Sequence, residues 1–205
     1  MTVVTPWFEH MELADDYWKA MSVAGDGLSV LVIDNGSNPP LPNGIRLDWN
    51  SGFSYACNHG LRLARTDAVL FLNSDIAATA VDWLQPIRAA LEPGVLVGAK
   101  IRNDPHAHVD GQPMPYLDGW CLGGMRDDLL ELGGWDEDYD EPSYYGDNDL
   151  CLRARAAGMR LREVRVGLRH KLNATAGHTE QVHAATVANR ERFTNRARSL
   201  LLATA

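Results

Sequence analysis

The stretch AVLFLNSDIA, residues 68–77, runs five apolar residues together and then stops at Asn73-Ser74-Asp75. A continuous run of this length, polar only at its end, suits a central strand of a parallel sheet covered on both faces. Asp75 then stands at the strand's carboxyl end, the edge at which open α/β sheets bind ligands. LSVLVIDNGS, residues 28–37, repeats the pattern, with Asp34 in the corresponding place. Around these two runs, residues 3–6 read as a short strand, 10–21 as a helix, 44–50 as a strand and 54–65 as a helix. Residues 81–92 read as a helix kinked or restarted at Pro86, and 95–101 as a strand. This β-α-β-α-β order predicts an α/β fold: a Rossmann-like, mostly parallel sheet flanked by helices in a single domain, with Asp34 and Asp75 facing one crevice.

After Ile101 the pattern changes. RNDPHAHVDGQPMP has three prolines and no periodicity, and reads as a loop. A strand over 116–125, a helix over 126–132, a dense acidic loop and a helix from about Asn148 to Ala157, stopped by Gly158, follow. The last segment, VHAATVANRERFTNRARSLLL, is helical with an arginine-rich face, which fits packing on the domain, or a weak membrane or homo-oligomer contact.

Composition sets limits on function. The 205 residues fit one domain, and 45% apolar content allows a substantial core. No apolar run approaches the ~20 residues that cross a bilayer, and the N-terminus lacks the pattern of a signal peptide, so a cytoplasmic protein is expected. Cys57, Cys121 and Cys151 are odd in number and without a CxxC pair, which indicates small buried hydrophobes rather than disulfides or zinc. A net charge of -8 argues against nucleic acid as a partner, although a metal ion can bring a phosphate to an acidic site.

In order along the chain stand DNGS (34–37), Asn50-x-Gly52-Phe53-x-x-Ala56-x-Asn58-x-Gly60, FLNSD (71–75), GGWDE (133–137) and Asp147-x-Asp149-Leu150-x-x-Arg153. This series resembles the family 2 glycosyltransferases with the GT-A fold, most closely members that transfer rhamnose or galactofuranose. The resemblance implies an inverting transfer of a sugar from a nucleotide-diphosphate donor (UDP-, dTDP- or GDP-linked) to a hydroxyl of a glycan, a lipid-linked sugar or a protein, with Mn²⁺ or Mg²⁺. It divides the domain into a nucleotide-sugar-binding half (1–101), an acceptor and catalytic half (102–178) and a C-terminal helix (179–205).

The same resemblance assigns the site residues. Thr5 and Pro6 line the base, Asp34 meets base or ribose, and Asn50, Gly52 and Asn58 shape the wall near ribose and diphosphate. Asn73, Ser74 and Asp75 occupy the family's DxD-like triplet, with Asn73 where a carboxylate usually stands, and Asp75 with His170 supplies the protein's metal ligands. Asp147 falls on the family's general base, with Gly146 in place of the preceding Glu. Asp118, Gly119, Trp120, Trp135 and Asp136 match positions that meet donor sugar and acceptor. The residues alone leave other roles open: Asp75 and Asp147 as helix caps, His170 as a surface histidine, DNGS as a turn and Trp135 as core. The acidic DEDYDE (136–141) fails as a calcium loop, because its sixth position is Glu141 rather than Gly and its twelfth is Asp147 rather than Glu. His106 and His108 read as part of a solvated loop. A nucleotide-sugar-binding protein without activity is an alternative, and a sugar nucleotidyltransferase a weaker one, since VVTPWFEHMEL lacks a glycine- and lysine-rich phosphate loop.

Overall fold

A computed structural model describes residues 1–139, 144–171 and 180–203. Every residue of β4 (Ala68–Leu72) is buried, as a strand covered on both faces requires. It runs parallel to β1 (Thr2–Trp7) on one side and antiparallel to β11 (Cys121–Met125) on the other. Beyond β1 lie β2 (Ser29–Asp34) and the short β3 (Ile45–Arg46), and beyond β11 lie β6 (Val95–Gly98) and β12 (Arg160–Glu163). The resulting seven-stranded sheet has the order β12-β6-β11-β4-β1-β2-β3, and β11 alone among them runs against the rest. The carboxyl ends of the parallel strands therefore share one edge with the start of β11.

Side chains alternate along β4. Leu70 and Leu72 pack with Tyr17, Trp83 and Ile87 beneath α1 (Ala14–Ser22) and α3 (Gln85–Ala90). Val69 and Phe71 pack on the opposite face with Cys57, Leu61, Trp135 and Leu150, beneath α2 (Phe53–Leu63) and α5 (Gly146–Ala156). Helix α2 lies so close to β1 that a Cβ at Gly60 would fall 2.2 Å from Val4 Cγ1, a contact only glycine allows. All three cysteines are buried and none forms a disulfide, in agreement with a role as small hydrophobes.

Smaller pairs complete the edge: β5 (Ile76–Ala78) with β13 (Leu168–His170), β7 (Ile101–Arg102) with β10 (Tyr116–Leu117), and β8 (His108–Val109) with β9 (Gln112–Pro113). The expected strands 95–101 and 116–125 each break in two, because the Asp118 amide turns to the Lys100 carbonyl and the Trp120 carbonyl accepts from the Asn73 amide. The segment read as a loop holds a 3-10 turn (Pro105–Ala107) and the β8–β9 hairpin, neither of which has a hydrophobic period long enough to read. The expected helix 81–92 narrows to α3, whose first turn holds Pro86, where a missing N–H has no helical partner to lose. Helix α4 (Arg126–Glu131) follows β11, and α6 (Glu180–Ala203) closes the chain by packing Phe193 and Ala197 against Val109, Met114, Tyr139, Tyr145 and Leu152. No described helix is long and apolar enough to cross a membrane.

Candidate active site

The carboxyl edge of the sheet gathers most of the residues singled out from the sequence. At its nucleotide end, Asp34 is 1% exposed, and its carboxylate accepts from the Ser37 amide (2.9 Å), the Leu41 amide (3.0 Å) and Arg46 Nη1 (2.7 Å). Burial pushes this carboxyl up, but the Arg46 guanidinium and the two amides outweigh it and hold it below its ordinary value. Asp34 thus shapes the 35–46 loop from within. Asn35, which the sequence reading missed, donates from Nδ2 to Asn50 Oδ1 (2.8 Å) and to the Gly52 carbonyl, while its Oδ1 accepts from the Ser51 amide (2.8 Å). The Asn50 side chain also accepts from the Gly52 amide, so Asn50 and Gly52 are fixed where α2 begins.

Two residues expected at this wall are engaged elsewhere in the structure. Thr5 is fully buried with its hydroxyl 2.7 Å from that of Tyr17, so only its neighbour Pro6, at the strand end, keeps partial exposure. Asn58 is committed to the GGWDE loop: Nδ2 donates to the Trp135 carbonyl (2.8 Å) and to Glu137 (2.7 Å), and Oδ1 accepts from the Trp135 amide (2.8 Å).

At the end of β4 the chain enters β5 rather than a helix, so Asp75 caps nothing. Strand β13 pairs antiparallel with β5, setting His170 opposite Ile76 and its Nε2 3.0 Å from Asp75 Oδ1. His170 Nε2 also lies 3.3 Å from Asn73 Nδ2, and its ring stacks on Trp120 with centroids 5.0 Å apart and planes 7° off parallel. Ser74 and Asp75 are buried, and Asn73 Oδ1, Asp75 Oδ1 and His170 Nδ1 are buried without a partner of hydrogen-bond geometry among the described residues. The Asp75–His170 contact is thus close without being a hydrogen bond. Two adjacent ligands on an octahedral ion with bonds of about 2.1 Å stand about 3.0 Å apart, so an oxygen and an imidazole nitrogen at the observed spacing fit Mg²⁺ or Mn²⁺. Among the described residues no group of three or more His, Cys, Asp or Glu side chains gathers for a metal. An ion here would need ligands beyond these described side chains, such as the water and substrate phosphates that Mg²⁺ usually keeps.

Across the edge, α5 presents Asp147 in its first turn. Its Oδ2 accepts from the Gly119 amide (2.9 Å) and its Oδ1 from the Asn148 amide (2.9 Å). A Cβ at Gly119 would stand 3.1 Å from Asp147 Cβ and 3.3 Å from the Trp135 ring, so the absence of a side chain there lets the backbone reach the carboxylate. Burial, and behind it the charge of Asp118, push the Asp147 carboxyl up to about 6. Asp118 is itself held by Arg102, at 2.9 Å from Nε and 2.8 Å from Nη2, a partner not foreseen from the sequence.

Trp135 is core: 2% exposed, edge-on to Phe53 and Phe71, it floors the site rather than offering a face to a sugar. Asp136 turns away from the edge to Arg196 of α6 (2.7 Å), which together with the Asp138 amide outweighs its burial and keeps its carboxyl below the ordinary value. The acidic loop is described as far as Tyr139; the rest of it, residues 140–143, lies outside the described residues. His106 and His108 are exposed, as a solvated loop predicts.

A mostly parallel seven-stranded sheet flanked by helices is the architecture of the GT-A glycosyltransferases. Residues 25–115, somewhat under half of the chain, match the family model described as Glycosyl transferase family 2, which bears out the resemblance read from the motifs. Among solved structures, the chain is similar to a mannosyltransferase from Pyrobaculum calidifontis in complex with GDP-Man and Mn²⁺ (TM-score 0.61, 18% identity, 79% of this chain and 53% of that one). It is also similar to GalNAc-T7 with UDP, GalNAc and Mn²⁺ (TM-score 0.69, 14% identity, 95% and 48%). A third likeness is to the catalytic domain of Drosophila beta1,4galactosyltransferase 7 in complex with xylobiose (TM-score 0.57, 15% identity, 90% and 78%). The chain spans about half the length of the first two. No curated protein matches the sequence. None of these likenesses singles out rhamnose or galactofuranose transfer.

Proposed function

We propose that the chain is an inverting glycosyltransferase that moves a sugar from a nucleoside diphosphate donor to an acceptor hydroxyl. The observation that carries this is the pairing, at one sheet edge, of the buried Asp75–His170 contact with a carboxylate raised to about 6. A sugar hydroxyl is a weak nucleophile until its proton leaves, and a base titrating near neutrality both exists ionised at pH 7 and accepts that proton readily. Asp147 takes the acceptor proton as the acceptor oxygen bonds to the anomeric carbon, and the bond from that carbon to the diphosphate oxygen breaks with its electron pair. The Gly119 and Asn148 amides orient the Asp147 carboxylate and hold its charged form. Asp75 and His170 would hold Mn²⁺ or Mg²⁺, and the ion would supply charge neutralisation at the departing diphosphate. Asn35, Asn50 and Gly52 fix the wall beside the nucleotide. The donor is a UDP, dTDP or GDP sugar, and the acceptor a glycan, a lipid-linked sugar or a protein.

Asn73 and Gly146, each standing where the family usually has an acid, favour one second reading: a nucleotide-sugar-binding protein without turnover. Thermal unfolding with UDP, dTDP and GDP, each with and without Mn²⁺, tests the donor site, because a ligand that binds only the native state raises Tm. A metal-dependent rise with one nucleotide, lost in Asp75→Ala, supports the site. No rise with any nucleotide contradicts it. Turnover of the matching donor then separates enzyme from binding protein.

A further inference from the structure

The buried carboxylate two residues after the base has no part in the reaction above, yet it holds three side-chain partners. Asp149 is fully buried. Its Oδ2 accepts from Arg153 Nε (2.7 Å), and its Oδ1 from the Tyr139 hydroxyl (3.1 Å) and from Arg196 Nη1 (2.6 Å). Arg153 passes the connection to the loop before Trp135, donating to the Leu132 and Gly134 carbonyls. Arg196 comes from α6, far along the chain, and the same Nη1 lies 2.7 Å from Asp136 Oδ2. The residues beside it anchor the helix: Phe193 is 1% exposed and Ala197 fully buried.

We propose that Arg196 is a positioning residue for the base. It joins the first turn of α5, which carries Asp147, to the loop that carries Trp135, and so fixes the Asp147 carboxylate over the Trp135 floor. Both parts border the reacting carboxylate: a Cβ at Gly146 would stand 3.4 Å from the Trp135 ring, and one at Gly119 would touch both the ring and Asp147. Without Arg196, the buried Asp149 and the partly buried Asp136 lose the cation they share and repel one another, although Asp149 keeps Arg153. The loop and the helix turn then separate, and the base moves out of line with the acceptor. A small displacement of a catalytic group is enough to lower turnover strongly while leaving donor binding, built on other elements, unchanged.

This inference rests on Asp147 being the base, and the test separates the two. Nucleoside diphosphate release is followed from the sugar donor of whichever of UDP, dTDP and GDP raises Tm, in wild type, Asp147→Asn, Arg196→Met, Arg196→Lys, Asp136→Asn and Arg198→Gln. Arg198 lies on the same helix but, among the described residues, pairs with exposed Asp110, so Arg198→Gln controls for disturbance of α6. Arg196→Met is expected to lower kcat at least ~10-fold with donor KM within about twofold, Arg196→Lys to restore most of it, and Arg198→Gln to match wild type. Asp136→Asn, which keeps the Asp149–Arg196 pair, is expected to lower kcat several-fold and decides the matter if Arg196→Met does not fold. An inactive Asp147→Asn beside wild-type kcat in Arg196→Met or Asp136→Asn overturns this inference alone, as does a loss that appears in KM rather than kcat. A fully active Asp147→Asn overturns the base and this inference with it.

Discussion

Asp147→Asn should make the protein more stable at neutral pH, because the fold holds the ionised carboxylate at a cost. In the folded state the carboxyl is raised from 3.8 to about 6, chiefly by burial. Between those two values the native state binds more protons than the unfolded chain, so stability falls as pH rises through that window and stays lower above it. A shift of about two units at roughly 1.4 kcal/mol each gives about 3 kcal/mol, an upper figure because the residue keeps partial exposure. Asparagine carries no charge to desolvate, but it can accept from only one of the two amides with its oxygen, which offsets about 1 kcal/mol. The net gain of about 1–2 kcal/mol corresponds to a Tm rise of roughly 2–8 °C for a domain of this size. Thermal unfolding of both proteins at pH 8 and pH 4 reads it: the variant melts higher at pH 8, and the difference shrinks or reverses at pH 4, where the wild-type carboxyl is protonated. A variant less stable than wild type at pH 8, or a difference independent of pH, would refute the account of Asp147.

Other variants probe the frame around the site. Asn58→Ala leaves the Trp135 amide and carbonyl without their side-chain partners in a buried place and should cost at least about 2 kcal/mol in urea unfolding. Gly60→Ala drives a Cβ into Val4 and should cost about 1–3 kcal/mol, most of it recovered when Val4→Ala is added, as a double-mutant cycle would show. Asp34→Asn should lose about 1–3 kcal/mol at pH 7. Because the Asp34 carboxyl is held below its ordinary 3.8, its contribution is full above that pH and fades as pH falls from there through the lowered value, so the variant and wild type should converge only well below pH 3.8.

The central strand and the edge it points to were legible because burial on both faces leaves a local mark, an unbroken apolar run ended by Asn73-Ser74-Asp75. The parallel order followed from the alternation of strand and helix. The reversal of β11 left no such mark, since its pairing depends on the turn at 118–120 and on the sheet around it. Trp135 and Asn58 carry motif positions, yet their structural work is to hold core and loop together, a distinction that only their partners reveal. Asn35, Arg102 and Arg196 were missed for the same reason: Arg196 reaches Asp149 across 47 residues, and nothing near it in sequence announces that contact. The motif spacing located Asp147, whereas its raised carboxyl depends on the burial and the Asp118 charge that the fold brings to it.

The most direct test of the central claim compares donor turnover and donor binding in the same preparations of wild type and Asp147→Asn. Loss of a general base is expected to lower nucleoside diphosphate release by about 10²-fold or more, with donor affinity unchanged. Turnover at the wild-type rate in the variant would contradict the assignment of Asp147 and the mechanism built on it.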